Sequence, residues 1–137
     1  SLVRYTTDDE WDPTFGDQGW VHLALEPNPP EWDNVAMGFD LAIQPDGKIL
    51  GVGGWEGNFA VVRLNPDGSP DTTFGGGDGV VHTQFRANNS DLRAYARKAA
   101  LGASGKLVAA GSACADSCRI ALARYLKATD STPLPHV

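Results

Sequence analysis

The chain has 137 residues, a length that on its own suggests one domain, and 17 acidic against 11 basic side chains give a net charge of -6. The basic residues are scattered with no run of three, so the clustered Lys and Arg of a phosphate-backbone binder are missing, and no apolar run approaches the ~20 residues of a membrane span. Sixteen glycines and nine prolines punctuate short apolar runs, the pattern of many strands joined by tight turns, which predicts an all-β fold. In chain order, residues 2–5 read as a strand, and Trp20-Val21-His22 as another short one. An insert follows, Glu26-Pro27-Asn28-Pro29-Pro30-Glu31-Trp32-Asp33. Residues 35–44 read as a strand, closed by the turn Pro45-Asp46-Gly47. Residues 48–54 form the next, with Trp55-Glu56-Gly57 as a loop, and 58–65 the third, ended by Pro66-Asp67-Gly68. A fourth runs from about Phe74 through the glycines to Phe85. Proline presets φ and glycine takes the φ > 0 position, so Pro-Asp-Gly between apolar runs is a turn with a mechanism. Two later strands are centred on Gly105-Lys106-Leu107-Val108 and residues 120–126, before a proline-containing tail.

Internal repetition organises these elements. Asp12-Pro13-Thr14-Phe15-Gly16 returns as Asp71-Thr72-Thr73-Phe74-Gly75, 59 residues later, and Trp20-Val21-His22 returns as Val80-Val81-His82, 60 later. Gly47-Lys48-Ile49-Leu50 returns as Gly105-Lys106-Leu107-Val108 after 58, and Ala60-Val61-Val62-Arg63 as Ala121-Leu122-Ala123-Arg124 after 61. Leu2-Val3-Arg4-Tyr5 matches Val61-Val62-Arg63-Leu64, again 59 apart. Four short antiparallel strands per period is the pattern of a propeller blade, which must stack on neighbours because it cannot bury both faces alone. The division expected is a preceding blade's end plus insert over 1–34, a full blade over 35–85, a second blade lacking its outer strand over 86–126, and a tail over 127–137. Small residues such as Ala42, Ala60, Ala99, Ala109 and Ala121 suggest tight packing between sheets, with Leu41, Ile43, Ile49, Val61, Leu101, Leu107, Val108 and Leu122 as the expected core.

The segments LAIQPDGKILGVGG and FAVVRLNPDGSPDTTFGGGDGVV, with the worn copies AALGASGKLVAAGS and IALARYLKA, resemble the bacterial delta-60 repeat family. The resemblance spans nearly the whole chain except the insert and the tail. It implies a β-propeller-like array in secreted or surface-exposed bacterial proteins, and no particular chemistry. The last copy departs from the pattern: Leu126-Lys127-Ala128-Thr129-Asp130 replaces Pro-Asp-Gly, and no Asp-x-Thr-Phe-Gly follows.

Candidate chemistry is sparse. Asp46 and Asp67 are expected to bond their own backbone two residues on. The run Gly75-Gly76-Gly77-Asp78-Gly79 faintly resembles a calcium-binding repeat, but a site gathering six or more oxygens needs several copies, so a glycine turn is the preferred reading. His22 and His82 occupy equivalent positions, too far apart on successive blades to share a metal, and are expected to face solvent. Arg4, Arg63 and Arg124 recur once per period and are expected to pair with acidic or carbonyl groups between blades. Trp32 and Trp55, flanked by Asp33 and Glu56, are candidate binding residues for a glycan or a protein partner, against the plainer reading that they cap the core. Cys114 and Cys118 are expected to close a hairpin as a disulfide, with two inert thiols as the alternative. A disulfide would place the chain in an oxidising compartment.

No nucleophile motif, zincin motif or P-loop occurs, and no cofactor is expected. The expected function is a non-enzymatic structural or interaction module at the cell surface or outside it. Its partners would be further blades on the same or another polypeptide, or copies of itself. A carbohydrate-binding propeller and a fragment of a propeller enzyme are the alternatives. Trp55 aligns near Ala113 and has no repeat counterpart, which counts against the carbohydrate reading. No signal peptide opens at Ser1, and the phase of the repeat suggests an incomplete ring.

Overall fold

A computed structural model describes residues 1–23, 37–103 and 105–125, together with the backbone of 134–136. Every regular element is a β-strand. The first two, β1 (Leu2–Val3) and β2 (Trp20–Val21), pair antiparallel as a two-stranded sheet. The next four form a meander: β3 (Met37–Ile43), β4 (Ile49–Trp55), β5 (Asn58–Leu64) and β6 (Val80–Thr83), in that spatial order. The last sheet runs β7 (Phe85–Ala87), β8 (Ser90–Leu101), β9 (Leu107–Cys114), β10 (Cys118–Tyr125) and β11 (Leu134–His136), each beside its sequence neighbour. The architecture is all-β, with antiparallel blades of propeller type, four-stranded in the first sheet and extended to five by β7 in the second, and with the leading strands expected from sequence.

Local chemistry sets the turns. Asp46 Oδ1 accepts from the Lys48 amide at 3.2 Å, and Asp67 Oδ1 accepts from the Ser69 amide at 2.9 Å, as expected for Pro-Asp-Gly. Glu56 and Gly57 both have positive φ (48° and 73°), the two-residue turn whose twist suits a hairpin. Trp55 is consequently the last residue of β4 and not a loop residue. The tail also differs from expectation. Leu134–His136 pairs with β10, Leu122 opposite His136, and fills the position equivalent to β6, the outer strand that the sequence predicts to be lacking in the last blade. Strand pairing needs only backbone groups, so a proline-containing segment with little strand character can still fill an edge position.

The repeat holds at the level of register. Gly38 and Asp40 flank a bulge in β3, and Ala96 and Lys98, 58 residues on, flank the same bulge in β8. Gly53 lies opposite the first bulge and Gly111 opposite the second. A Cβ on either would collide with the bulging backbone, at the Met37 carbonyl or the Tyr95 carbonyl.

The two blades pack face to face. Leu50, Val52, Phe59, Val61, Phe74 and Val81 from the first meet Ala94, Ala96, Leu107, Ala109, Ala123 and Tyr125 from the second. Alanines on the second blade let the sheets approach closely. Polar ties cross this interface: the Ala99 amide donates to Asp40 Oδ2 at 2.9 Å, Gln44 Nε2 donates to the Gly105 carbonyl at 3.3 Å, and Thr83 and Tyr125 share a buried hydrogen bond at 2.7 Å. A second, smaller core joins Phe15, Val21 and Leu2 of the leading segment to Ile49 and Leu64 on the other side of the first blade. These are the repeat equivalents of Phe74, Val81, Val61, Leu107 and Tyr125, so the same interface is built twice, the second time in half.

Of the expected core, Ile49, Val61 and Leu107 are buried, and Leu101 and Val108 are partly buried. Leu41, Ile43 and Leu122 are not core residues: they are 53 %, 69 % and 45 % exposed. Their strands alternate as expected, but no described sheet lies over Leu122, and the leading segment covers the other face at Ile49 and Leu64 without burying Leu41 and Ile43.

Candidate functional site

Two features could carry function: a charged latch written once per repeat, and the sheet faces left open at each end of the stack.

The latch is complete in the first full blade. Arg63 projects from β5 and donates through Nε to Asp71 Oδ2 at 2.7 Å, and Lys48 Nζ, at the head of β4, reaches the same oxygen at 2.6 Å. Asp71 Oδ1 accepts from the Thr73 amide (3.0 Å) and hydroxyl (2.7 Å), and the Arg63 guanidinium also donates to Thr73 Oγ1 and lies 4.5 Å over the Phe74 ring. Burial alone would raise the Asp71 pKa. The Lys48 and Thr73 hydrogen bonds and the Arg63 charge outweigh it and hold the carboxyl well below its ordinary range. Arg63 and Asp71 are both buried. Two cations and several donors around one carboxylate give the buried Asp71 and Arg63 the partners they need, because a buried charge persists only when paired and hydrogen-bonded.

The leading segment repeats it in part. Arg4 Nε donates to Asp12 Oδ2 at 2.8 Å, Asp12 Oδ1 accepts from the Thr14 amide and hydroxyl, and the guanidinium lies 4.4 Å over Phe15. Arg4 also donates to the Pro66 carbonyl at 2.6 Å, a contact from one repeat to the next. The expectation that the arginines pair between blades therefore holds for that one bond, while the carboxylate partners of Arg4 and Arg63, Asp12 and Asp71, lie in the arginine's own repeat. The third repeat supplies Lys106 and Arg124 without an Asp-x-Thr-Phe-Gly. Among the described residues neither has a carboxylate partner.

The open faces carry exposed aliphatic residues. Ile120 and Leu122 on β10 are 81 % and 45 % exposed, whereas Phe59 and Val61, their equivalents 61 residues earlier, are fully buried between the blades. On the opposite side, Leu41 and Ile43 are exposed, and their equivalents Ala99 and Leu101 pack against the inter-blade core. Beside Leu41 lies an open cavity of about 520 Å³ between the first blade and the leading segment.

The residues singled out from sequence are distributed as follows. Trp32 and Asp33 lie outside the described residues. Trp55 is half-buried, its ring 4.5 Å from that of His82, and Glu56 is exposed in the adjoining turn. His22 and His82 are both exposed, and His22 Nδ1 lies 3.0 Å from Ser1 Oγ. Residues 75–79 form a turn in which Asp78 Oδ1 accepts from the Val80 amide at 2.9 Å, and Gly75 and Gly79 take positive φ (66° and 80°). Among the described residues no group of three or more His, Cys, Asp or Glu is placed to hold a metal ion. Cys114 and Cys118 are joined in a disulfide between directly opposed residues of β9 and β10, as expected.

Sequence reasoning missed one cluster. Tyr5, Trp11 and Trp20 stack in series at 4.6 and 4.9 Å, continuing to His22 at 6.1 Å. Their spacing in the chain is irregular, so no periodic signal marks it. The rings cover one another's faces, which suits a clasp across β1, β2 and the intervening loop better than a platform for a planar ligand.

Residues 44–74 match the family model described as "Domain of unknown function (DUF5122) beta-propeller". The matched stretch contains the whole complete latch, Lys48, Arg63, Asp71, Thr73 and Phe74. Neither the curated proteins nor the solved structures gave a match. No helix is long and apolar enough to cross a membrane among the described residues.

Proposed function

We propose that this chain is a non-enzymatic structural and interaction module of delta-60 repeat type, acting outside the cytoplasm, whose open blade faces bind further blades on the same or another polypeptide, or on another copy. One observation carries the reading. The residues exposed on the outer faces, Ile120 and Leu122 at one end and Leu41 and Ile43 at the other, stand at repeat positions that are packed between blades elsewhere in the same chain. Exposed aliphatic residues at positions that are buried elsewhere in the same chain suit an interaction surface. The Cys114–Cys118 disulfide supports an oxidising compartment. The conspicuous charges, Lys48, Arg63 and Asp71, are engaged with one another in ion pairs, a structural use. Trp55 packed on His82 has less ring face to offer a sugar, so a carbohydrate-binding module is not our reading.

Sedimentation velocity together with a hydrophobic dye tests the proposal. The expected result is concentration-dependent association of the 14.5 kDa chain, or strong dye binding by its monomer. A cooperative monomer that binds no dye would overturn it.

A further inference from the structure

We propose that the free edge of β1 and the cavity beside it form an acceptor for a β-hairpin equivalent to β3–β4, and that a lysine at the head of the hairpin's second strand completes the Arg4–Asp12 latch. This rests on the reading of the chain as a blade-binding module and names the partner of one face.

Three independent features of the structure converge on that edge. The first is pairing. β1 is the repeat equivalent of β5, which is held on one side by β6 and on the other by β4. β1 is paired with β2 on the side equivalent to β6, and no strand among the described residues lies on the other. An unpaired strand edge presents N–H and C=O groups that template another strand.

The second is shape. The cavity of about 520 Å³ has Ser1, Leu2 and Leu23 along the β1 side, and Leu41, Gly51 and Val62 among its remaining lining. In the complete interface the equivalents of Leu41 and Gly51 are Ala99 and Ala109, which belong to the inter-blade core that the first two strands of the neighbouring blade enter through Ala42, Leu50 and Val52. The cavity therefore lies where the first two strands of a blade would sit. The outer half of that same interface is already present as Phe15 and Val21 on Ile49 and Leu64.

The third is charge. Asp71 Oδ2 receives two cations, Arg63 Nε at 2.7 Å and Lys48 Nζ at 2.6 Å. Asp12 Oδ2 receives Arg4 alone among the described residues, at 2.8 Å. Because Lys48 heads β4, the missing cation belongs to the strand that would pair with β1. The hairpins β3–β4 and β8–β9 are already committed to their own sheets. Residues 24–36 contain no lysine and three prolines, which lack the N–H needed for edge pairing. The partner is thus an aliphatic antiparallel hairpin with a Gly-Lys-aliphatic sequence after its turn, from outside the elements described here.

Two arms test this on the full chain. In the first, a peptide with the sequence of residues 37–57 is added in trans and its binding measured by calorimetry, with amide exchange at Val3 followed by NMR. Binding with protection of Val3 is expected, about tenfold weaker for the Lys48→Gln peptide, the scale of one charge-assisted hydrogen bond. Asp12→Asn in the chain, which keeps the Oδ1 acceptor for Thr14, should erase the difference between the two peptides. A hairpin in isolation is marginally stable, so the second arm fuses a copy of residues 37–59 directly before Ser1. The fusion should protect Val3, raise the Tm and reduce dye binding, with part of the Tm gain lost on Lys48→Gln in the added copy. Equal behaviour of the Lys and Gln forms would overturn the latch. No protection of Val3 in either arm would overturn the acceptor. Dye binding that persists through Ile120 and Leu122 in that case would leave the module reading standing.

Discussion

At the scale of single residues, the latch and the Thr83–Tyr125 contact make pH the most informative variable. Asp71 titrates below its ordinary range in the fold, so the stability it contributes is present above the unfolded value of about 3.9 and is lost as pH falls below it toward the folded value. Asp12 is also lowered by the Thr14 hydrogen bonds, Asp40 by the Ala99 amide and Asp67 by Ser69, so acid should loosen several ties together. Denaturant midpoints between pH 5 and 2 should fall steeply for the native chain and less for Asp71→Asn. That variant should itself cost about 3–5 kcal/mol at neutral pH, because it leaves buried Arg63 with no counter-charge. An unchanged acid slope in the variant would remove Asp71 from the explanation. Tyr125 behaves in the opposite sense. Burial pushes its hydroxyl up to about 12, against a weaker lowering by the Thr83 hydrogen bond. The neutral form is the one the fold favours, so the stabilisation is full below pH 10 and on the order of 2 kcal/mol is lost as pH rises through 12. An absorbance titration of tyrosinate should show a late phase that Tyr125→Phe abolishes. A late phase that survives the substitution would remove Tyr125 from the explanation.

At the scale of elements, the hairpins explain why much of this fold was legible in the sequence. Pro45-Asp46-Gly47 and Pro66-Asp67-Gly68 encode their turns in three residues, and Lys48, Arg63 and Asp71 recur at spacings that mark a blade before any coordinates exist. The bulges opposite Gly53 and Gly111 were not legible, because a glycine in a strand announces a close approach without saying of what. The same holds for β11, where backbone pairing recruits residues with no strand pattern, and for the Tyr5–Trp11–Trp20 stack, which depends on where three separate segments meet. The Cys114–Cys118 disulfide joins opposed residues of one hairpin and closes a small loop, so it limits the unfolded chain only locally. Replacing both cysteines by alanine should cost about 2 kcal/mol or less on the loop-entropy scale, measured by denaturant unfolding. A cost well above that would mean the hairpin tip carries packing that the pairing alone does not reveal.

At the scale of the molecule, what alternation along a strand cannot say is whether a second sheet covers the face it defines. Leu41, Ile43 and Leu122 read as core residues because they fall in apolar strand runs; they are exposed because no described neighbour covers them on the outer sides of this stack. The chain thus contains its own control, since one repeat position occurs once inside the stack and once on its surface. Phe59 is fully buried and tilted against Phe85 with ring centres 4.7 Å apart, whereas its equivalent Ile120 is 81 % exposed. Phe59→Ala should therefore cost about 3–5 kcal/mol, the usual penalty for deleting a buried aromatic. Ile120→Ala in dilute monomeric chain should change stability by no more than about 0.5 kcal/mol, as for other surface substitutions. Raising the protein concentration, or supplying a neighbouring blade, should change the second number and leave the first alone, because covering β10 would convert Ile120 from a surface residue into a buried one. Chemical denaturation of both variants across a concentration series measures this directly. If Ile120→Ala were as costly as Phe59→Ala in the dilute monomer, the outer face of the second blade would already be covered within the chain, and it would no longer be available to a partner.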